Sequence, residues 1–212
     1  KHNMKHTQSV IALSIGIGTA VLFSQTAIAA SAQAEEGPRY EITITNLTRG
    51  SQMTPILAAS HKEGVSLFDL GSPASGELAT LAEEGNVTPL AEMLMANASV
   101  KNVVNSSGLT DPGKSVTLNV SAIGRFNHVS VAAMLIPSND AFFAVNGMEA
   151  PRHRGETITY YSPAYDAGSE ENNELCTSIP GPFFAECGGA GGDGKEGNGE
   201  GYTHIHAGMH GI

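Results

Sequence analysis

The chain has 212 residues, and 21 acidic against 11 basic side chains leave a formal charge of −10 at neutral pH. Acidity of this kind with no basic cluster excludes nucleic acid, whose phosphates need Lys and Arg to displace counterions. It also argues against an anionic lipid surface unless a cation bridges the two.

The first segment reads as targeting sequence. Lys5 and His6 follow Met4, Val10 to Phe23 form an uncharged, largely apolar run, and Ala27-Ile28-Ala29 supplies a small-x-small exit. Ala32-Gln33-Ala34 is a second candidate exit. This pattern predicts a signal peptide over 1–29. The apolar run is shorter than the roughly 20 residues a helix needs to cross a bilayer. No second long apolar stretch follows, so no transmembrane segment is expected after cleavage. The expected destination is secreted or periplasmic, with a flexible leader over 30–38 and one domain over 39–212.

Tyr40 to Thr45 alternates with period two and predicts a half-buried strand. Glu77 to Glu84 and Thr88 to Asn97 carry Leu, Ala and Met at helical spacing and predict two short helices. Thr88 is placed to cap the second, with Pro89 at its first position, and Leu90, Met93 and Leu94 face a core. Asp111-Pro112-Gly113 marks a turn before a strand over Ser115 to Val120. His128 to Ile136 predicts a strongly apolar strand ended by Pro137-Ser138-Asn139-Asp140. Further strands are expected over Phe142 to Val145 and Glu156 to Tyr161, with Asn146-Gly147 as a turn. The glycine-rich run from Gly188 to Gly201 cannot build a core and reads as a mobile loop. Tyr202 to His206 then predicts a last strand. The whole pattern predicts a mainly β chain, an antiparallel β-sandwich with one or two short helices in an early insertion.

Two acidic loops could carry chemistry. One is Pro137-Ser138-Asn139-Asp140; the other runs from Asp166 through Gly168 to Glu174. Ca2+ takes six to eight oxygens from carboxylates and carbonyls on tight turns, and two such loops at one end of a sandwich could share an ion. The plain alternative is solvated surface charge. The histidines form a separate candidate. His204 and His206 alternate, and His210 follows across Gly208, a spacing that suits Cu or Zn, with His61 as an extra ligand. Hydrogen-bonded polar side chains are the competing reading. Cys176 and Cys187 are the two cysteines, and in an oxidising compartment they are most simply one disulfide, a reactive thiol or metal thiolate being the alternative. Five glycosylation sequons, at Asn46, Asn86, Asn97, Asn105 and Asn119, read as incidental. No GxSxG, HExxH or phosphate-cradling glycine loop is present, so no enzyme is expected.

Pro137-Ser138-Asn139-Asp140, Tyr165-Asp166-Ala167-Gly168-Ser169-Glu170 and His204-Ile205-His206-Ala207-Gly208-Met209-His210-Gly211, in that order, resemble the signature stretches of the spondin N-terminal domain family. Thr54-Pro55 through Ser60-His61 to Leu67-Phe68-Asp69-Leu70-Gly71 is similar to the family's opening. The resemblance implies a C2-like sandwich with a Ca2+ ion between edge loops. By motif, Asp140, Asp166 and Glu170 match the family's acids, and Ser169 stands where Thr is usual. The function to expect is a Ca2+-binding β-sandwich domain for extracellular or cell-surface interaction, its partner an extracellular or envelope protein or a polysaccharide. The alternative is a periplasmic copper- or zinc-binding protein using His61, His204, His206 and His210.

Overall fold

The computed structural model describes residues 39–180 and 198–208. The expected signal peptide and leader, Cys187, His210 and the glycine-rich residues 188–197 lie outside the described residues. The described residues form nine strands and two helices: β1 (Arg39–Thr45), β2 (Gln52–Met53), β3 (Leu57–His61), α1 (Gly76–Glu84), α2 (Thr88–Met95), β4 (Val100–Asn105), β5 (Ser115–Ser121), β6 (His128–Ile136), β7 (Ala141–Glu149), β8 (Ala164–Asp166) and β9 (His204–Ile205).

They build two antiparallel sheets. β1 pairs with β5 alone, and the larger sheet runs β4-β3-β6-β7-β8-β9, with β2 on the far part of β6. The sandwich follows from side-chain parity. Ile42 and Ile44 of β1, with Leu118 and Val120 of β5, pack on Ala58, Val131 and Ala133 of the larger sheet. The outward residues of the same ribbon are exposed, and Thr43–Thr117 and Thr45–Ser115 pair their hydroxyls across it at 3.2 and 2.8 Å. The residues of opposite parity, Leu57, Ala59, Ala132 and Phe142, meet Leu78, Leu81, Leu90 and Leu94 of the two helices. The helices are therefore a third layer that covers the sheet's second face. Full burial of each Leu or Phe contributes about 1.5–3 kcal/mol.

That third layer explains why β3 escapes the period-two signal. All five of its residues, Leu57-Ala58-Ala59-Ser60-His61, are buried, because both faces are covered. Strands β2 and β4 were likewise not expected. Thr88 does not cap α2: the capping position is Val87, and the amide of Thr88 is held by Asn86 Oδ1 at 3.1 Å. Met93 lies partly in solvent while Leu90 and Leu94 are buried.

Two further expectations are corrected. Asn146-Gly147 is a bulge inside β7 and not a turn. Val129 faces Met148 and Val131 faces Val145, so Asn146 and Gly147 together oppose Ser130. Gly147 has a φ of 68°, and the Asn146 side chain ties down Leu67 and Phe68. Glu156 to Tyr161 is exposed and forms no strand. The edge of β7 that it would need is taken by β8, which pairs with Ala141 to Phe143, and by Ser162, which bonds to Ala144.

Candidate metal centre

The corner where β6 passes into β7 and β8 leaves the sheet collects the acids. A cis peptide joins Ile136 to Pro137. Ser138 Oγ donates to the carbonyl of Leu135 and accepts from the amide of Ala141. The turn delivers Asp140 to the start of β7. Asp166 ends β8 opposite Ala141, and the amide of Ala167 donates to the carbonyl of Asp140 at 3.2 Å. Sheet register thus makes the two aspartates neighbours, although 25 residues lie between them in sequence.

Their carboxylates are oriented from one side. Asp140 Oδ2 accepts from the amides of Ser169 and Glu170, at 2.8 and 3.1 Å, and from the Ser169 hydroxyl at 3.2 Å. Asp166 Oδ1 accepts from the Gly168 amide at 2.8 Å and Oδ2 from Asn172 at 2.7 Å. Asp140, Asp166 and Glu170 are all buried, at 0, 1 and 1 % exposure. Asp140 Oδ1 is buried with no hydrogen-bond partner. Among the described residues no Lys or Arg pairs with Asp140 or Asp166.

Two carboxylates side by side in a buried site resist double ionisation. Burial, and then the charge of Asp166, push Asp140 up to about 6, against the pull of its bonds from Glu170 and Ser169. The same field acts on His204. Burial lowers its pKa, but its bond to the Ile205 carbonyl and the charges of Asp166, Glu200 and Asp140 outweigh that and raise it. The corner therefore attracts positive charge, either as a proton or as a metal ion.

The glycine-rich run contributes to this corner. Residues 198–201 are in place against the second acidic loop, which corrects the expectation that the whole run is mobile. Gly201 donates to the Gly168 carbonyl at 2.8 Å. A Cβ on Gly168, whose φ is +67°, would lie 2.3 Å from the Tyr202 carbonyl oxygen, and one on Gly199 would lie 2.3 Å from that of Gly168. Only glycine permits this backbone contact. It delivers Glu200, and then His204 on β9, which pairs with Asp166 in register. Asp166, Glu200 and His204 each offer one ligand atom within 4.8 Å of the others.

The structure thus makes Asp140 and Asp166 neighbours and puts the Glu170 amide on Asp140, while the ligand atoms that converge among the described residues are those of Asp166, Glu200 and His204, and Glu200 is the one that sequence reasoning missed. The signal for it was slender: an acid four residues before His204, inside a run whose composition pointed to a loose loop. The histidine set does not assemble as expected. His61 pairs with His128 at the start of β6, about 26 Å along the strand from Ile136, where the turn to Asp140 begins. Both its ring nitrogens are engaged, Nδ1 with the Lys62 carbonyl and Nε2 with Ser130 Oγ, each at 2.8 Å. Burial lowers its pKa, the bond to Lys62 opposing and nearby His128 assisting, so the ring is neutral. His206 lines the same cleft as His204, its Nδ1 accepting from the Gly208 amide at 2.9 Å. Among the sequons, Asn46 is fully buried and bonded through both ends of its amide, so it is a structural residue.

The family model described as Spondin_N matches residues 44–174. The chain belongs to the spondin N-terminal domain family. The matched stretch of this spondin domain contains Asp140, Asp166 and Glu170 and stops before Glu200 and His204. No curated protein matches the chain. No helix among the described residues is long and apolar enough to cross a membrane.

Proposed function

We propose that this spondin domain is a Ca2+-binding module acting outside the cytoplasm, with Asp140, Asp166 and Glu170 as the anionic ligands. One observation carries the reading: Asp140 Oδ1 is buried and unpartnered beside a second buried carboxylate. An uncompensated buried charge costs several kcal/mol, and a hard cation removes that cost while using the oxygens already present. Three carboxylates and the side-chain amides of Asn139 and Asn172 fit a hard ion in kind.

The bound ion would rigidify the acidic loops and the edge of the sheet, and so shape the surface offered to an extracellular or envelope protein or polysaccharide. Binding, with no catalytic step, is the proposed role. A Cys176–Cys187 bridge would tie down the exit of the second acidic loop, closing a short loop worth about 2–3 kcal/mol in the chain-entropy model.

Calorimetric titration of metal-stripped protein with Ca2+ tests the reading. Saturable binding is expected for the natural chain, and Asp140→Asn should weaken it at least about tenfold. A natural chain that melts at one temperature in millimolar Ca2+ and in EDTA overturns it.

A further inference from the structure

A second set of donors lies on the outer side of Asp166. The Nδ1 of His204 is 3.0 Å from the carbonyl oxygen of Ile205. A carbonyl only accepts, so Nδ1 carries the hydrogen, and in the neutral ring the lone pair sits on Nε2. That atom is 3.7 Å from Asp166 Oδ1 and 3.8 Å from Glu200 Oε2. These separations are too long for hydrogen bonds, which run to about 3.2 Å. They are close to the edge of a tetrahedron around an ion with bonds of about 2.0–2.1 Å, which is roughly 3.4 Å.

The two carboxylates are turned toward this point. Asn172 Nδ2 donates to Asp166 Oδ2 at 2.7 Å and to Glu200 Oε1 at 3.2 Å. It holds the second oxygen of each carboxylate, and Asp166 Oδ1, which also accepts from the Gly168 amide at 2.8 Å, and Glu200 Oε2 are the oxygens near His204 Nε2. Outer-sphere bonds of this kind fix first ligands in metal sites. Next to Asp166 in the sheet register sits Asp140, fully buried, with one oxygen lacking a partner. A cleft of about 250 Å3, lined by Asp166, Asn172, Glu200, His204 and His206, gives an ion access and leaves room for water as a fourth ligand.

We propose that Asp166, Glu200 and His204 form a second cation site, for a borderline divalent ion such as Zn2+, distinct from the inner carboxylate site and joined to it through Asp166. An imidazole nitrogen with two carboxylates suits Zn2+, whereas Ca2+ takes oxygen. The proposal shares Asp166 and Asn172 with the Ca2+ reading and does not need that reading to hold.

The test is titration of the metal-stripped, untagged full chain with Zn2+, beside His204→Gln, Glu200→Gln and His206→Gln. The natural chain should bind one Zn2+ tighter than about 100 μM. His204→Gln and Glu200→Gln should each weaken binding at least tenfold, and His206→Gln should leave it within twofold. Ca2+ titration of the same samples reports the inner site separately, and circular dichroism reports folding. Zn2+ affinity unchanged in both His204→Gln and Glu200→Gln would overturn the proposal, because the ion would then sit on other histidines. So would the absence of Zn2+ binding tighter than 100 μM in the natural chain.

Discussion

The two ends of β6 bury polar groups in opposite ways. At the His128 end, His61 Nε2 meets Ser130 Oγ, Ser130 Oγ also accepts from the Gly147 amide at 2.8 Å, and His61 Nδ1 is held by the Lys62 carbonyl. Both nitrogens of the His61 ring are thus bonded, although Nδ1 of the neighbouring His128 is buried without a partner. At the Ile136 end, carboxylates crowd together and one oxygen of Asp140 stays unpartnered. At the first end the unpartnered atom is a ring nitrogen; at the second it is a carboxylate oxygen, whose charge costs far more to bury. A satisfied buried network rigidifies a fold, while an unsatisfied buried charge points to a ligand.

Substitution sharpens that contrast. The largest effect is expected at the satisfied end. His61→Ala removes a fully buried ring and strands the Ser130 hydroxyl, at a cost of about 3 kcal/mol. In a domain of this size that lowers the melting temperature by roughly 10 °C. The loss should be the same in Ca2+ and in EDTA, and a cation-dependent loss would erase the distinction drawn here.

At the acidic end the sign should change with the medium. With Ca2+ at a hundred times its dissociation constant, binding adds about 2.7 kcal/mol to the natural chain, and Asp166→Asn should lose most of it. In EDTA the same variant should melt no lower than the natural chain, since one of two repelling buried charges is gone. Thermal melts in both media decide this, and equal losses would assign Asp166 to packing alone.

The smallest effect is in pH. His61 is held below its ordinary 6.5 by burial, so below that value the unfolded chain takes a proton the folded chain refuses. Its contribution is complete above 6.5 and is lost as pH falls toward its folded pKa. Asp140 runs the other way without metal: at about 6 against an ordinary 3.8, it keeps a proton the unfolded chain has released, so stability rises as pH falls between those values. The stability difference between the natural chain and His61→Gln cancels the Asp140 part, and urea unfolding should show it shrinking from pH 7 to 5. A constant difference would mean that His61 titrates alike in both states.

How far the sequence could be read depended on how many faces each element buries. β1, β5 and β6 were legible because alternation or a long apolar run marks them. β3 was not, since Leu57-Ala58-Ala59 between two layers has neither signal. Glu156 to Tyr161 has the alternation without a free sheet edge, so its pattern misled. The two acidic loops that carry Asp140, Asp166 and Glu170 were legible because turn residues announce them, and the structure places the loops against each other. Glu200 was not, because its role depends on the contact of Gly199 with Gly168, a close approach that composition reads as looseness.

That backbone contact has an evolutionary reading. The three acids lie within 44–174, the stretch the family model matches, but part of what holds them, β9 against Asp166 and Gly201 on the Gly168 carbonyl, lies beyond it. Glu200 and His204 come on a separate strap clasped to that frame through two glycines. Glu200 lies outside β9, so the charge of this corner can change at that one position while the pairing of β9 with β8 keeps the sheet edge in place.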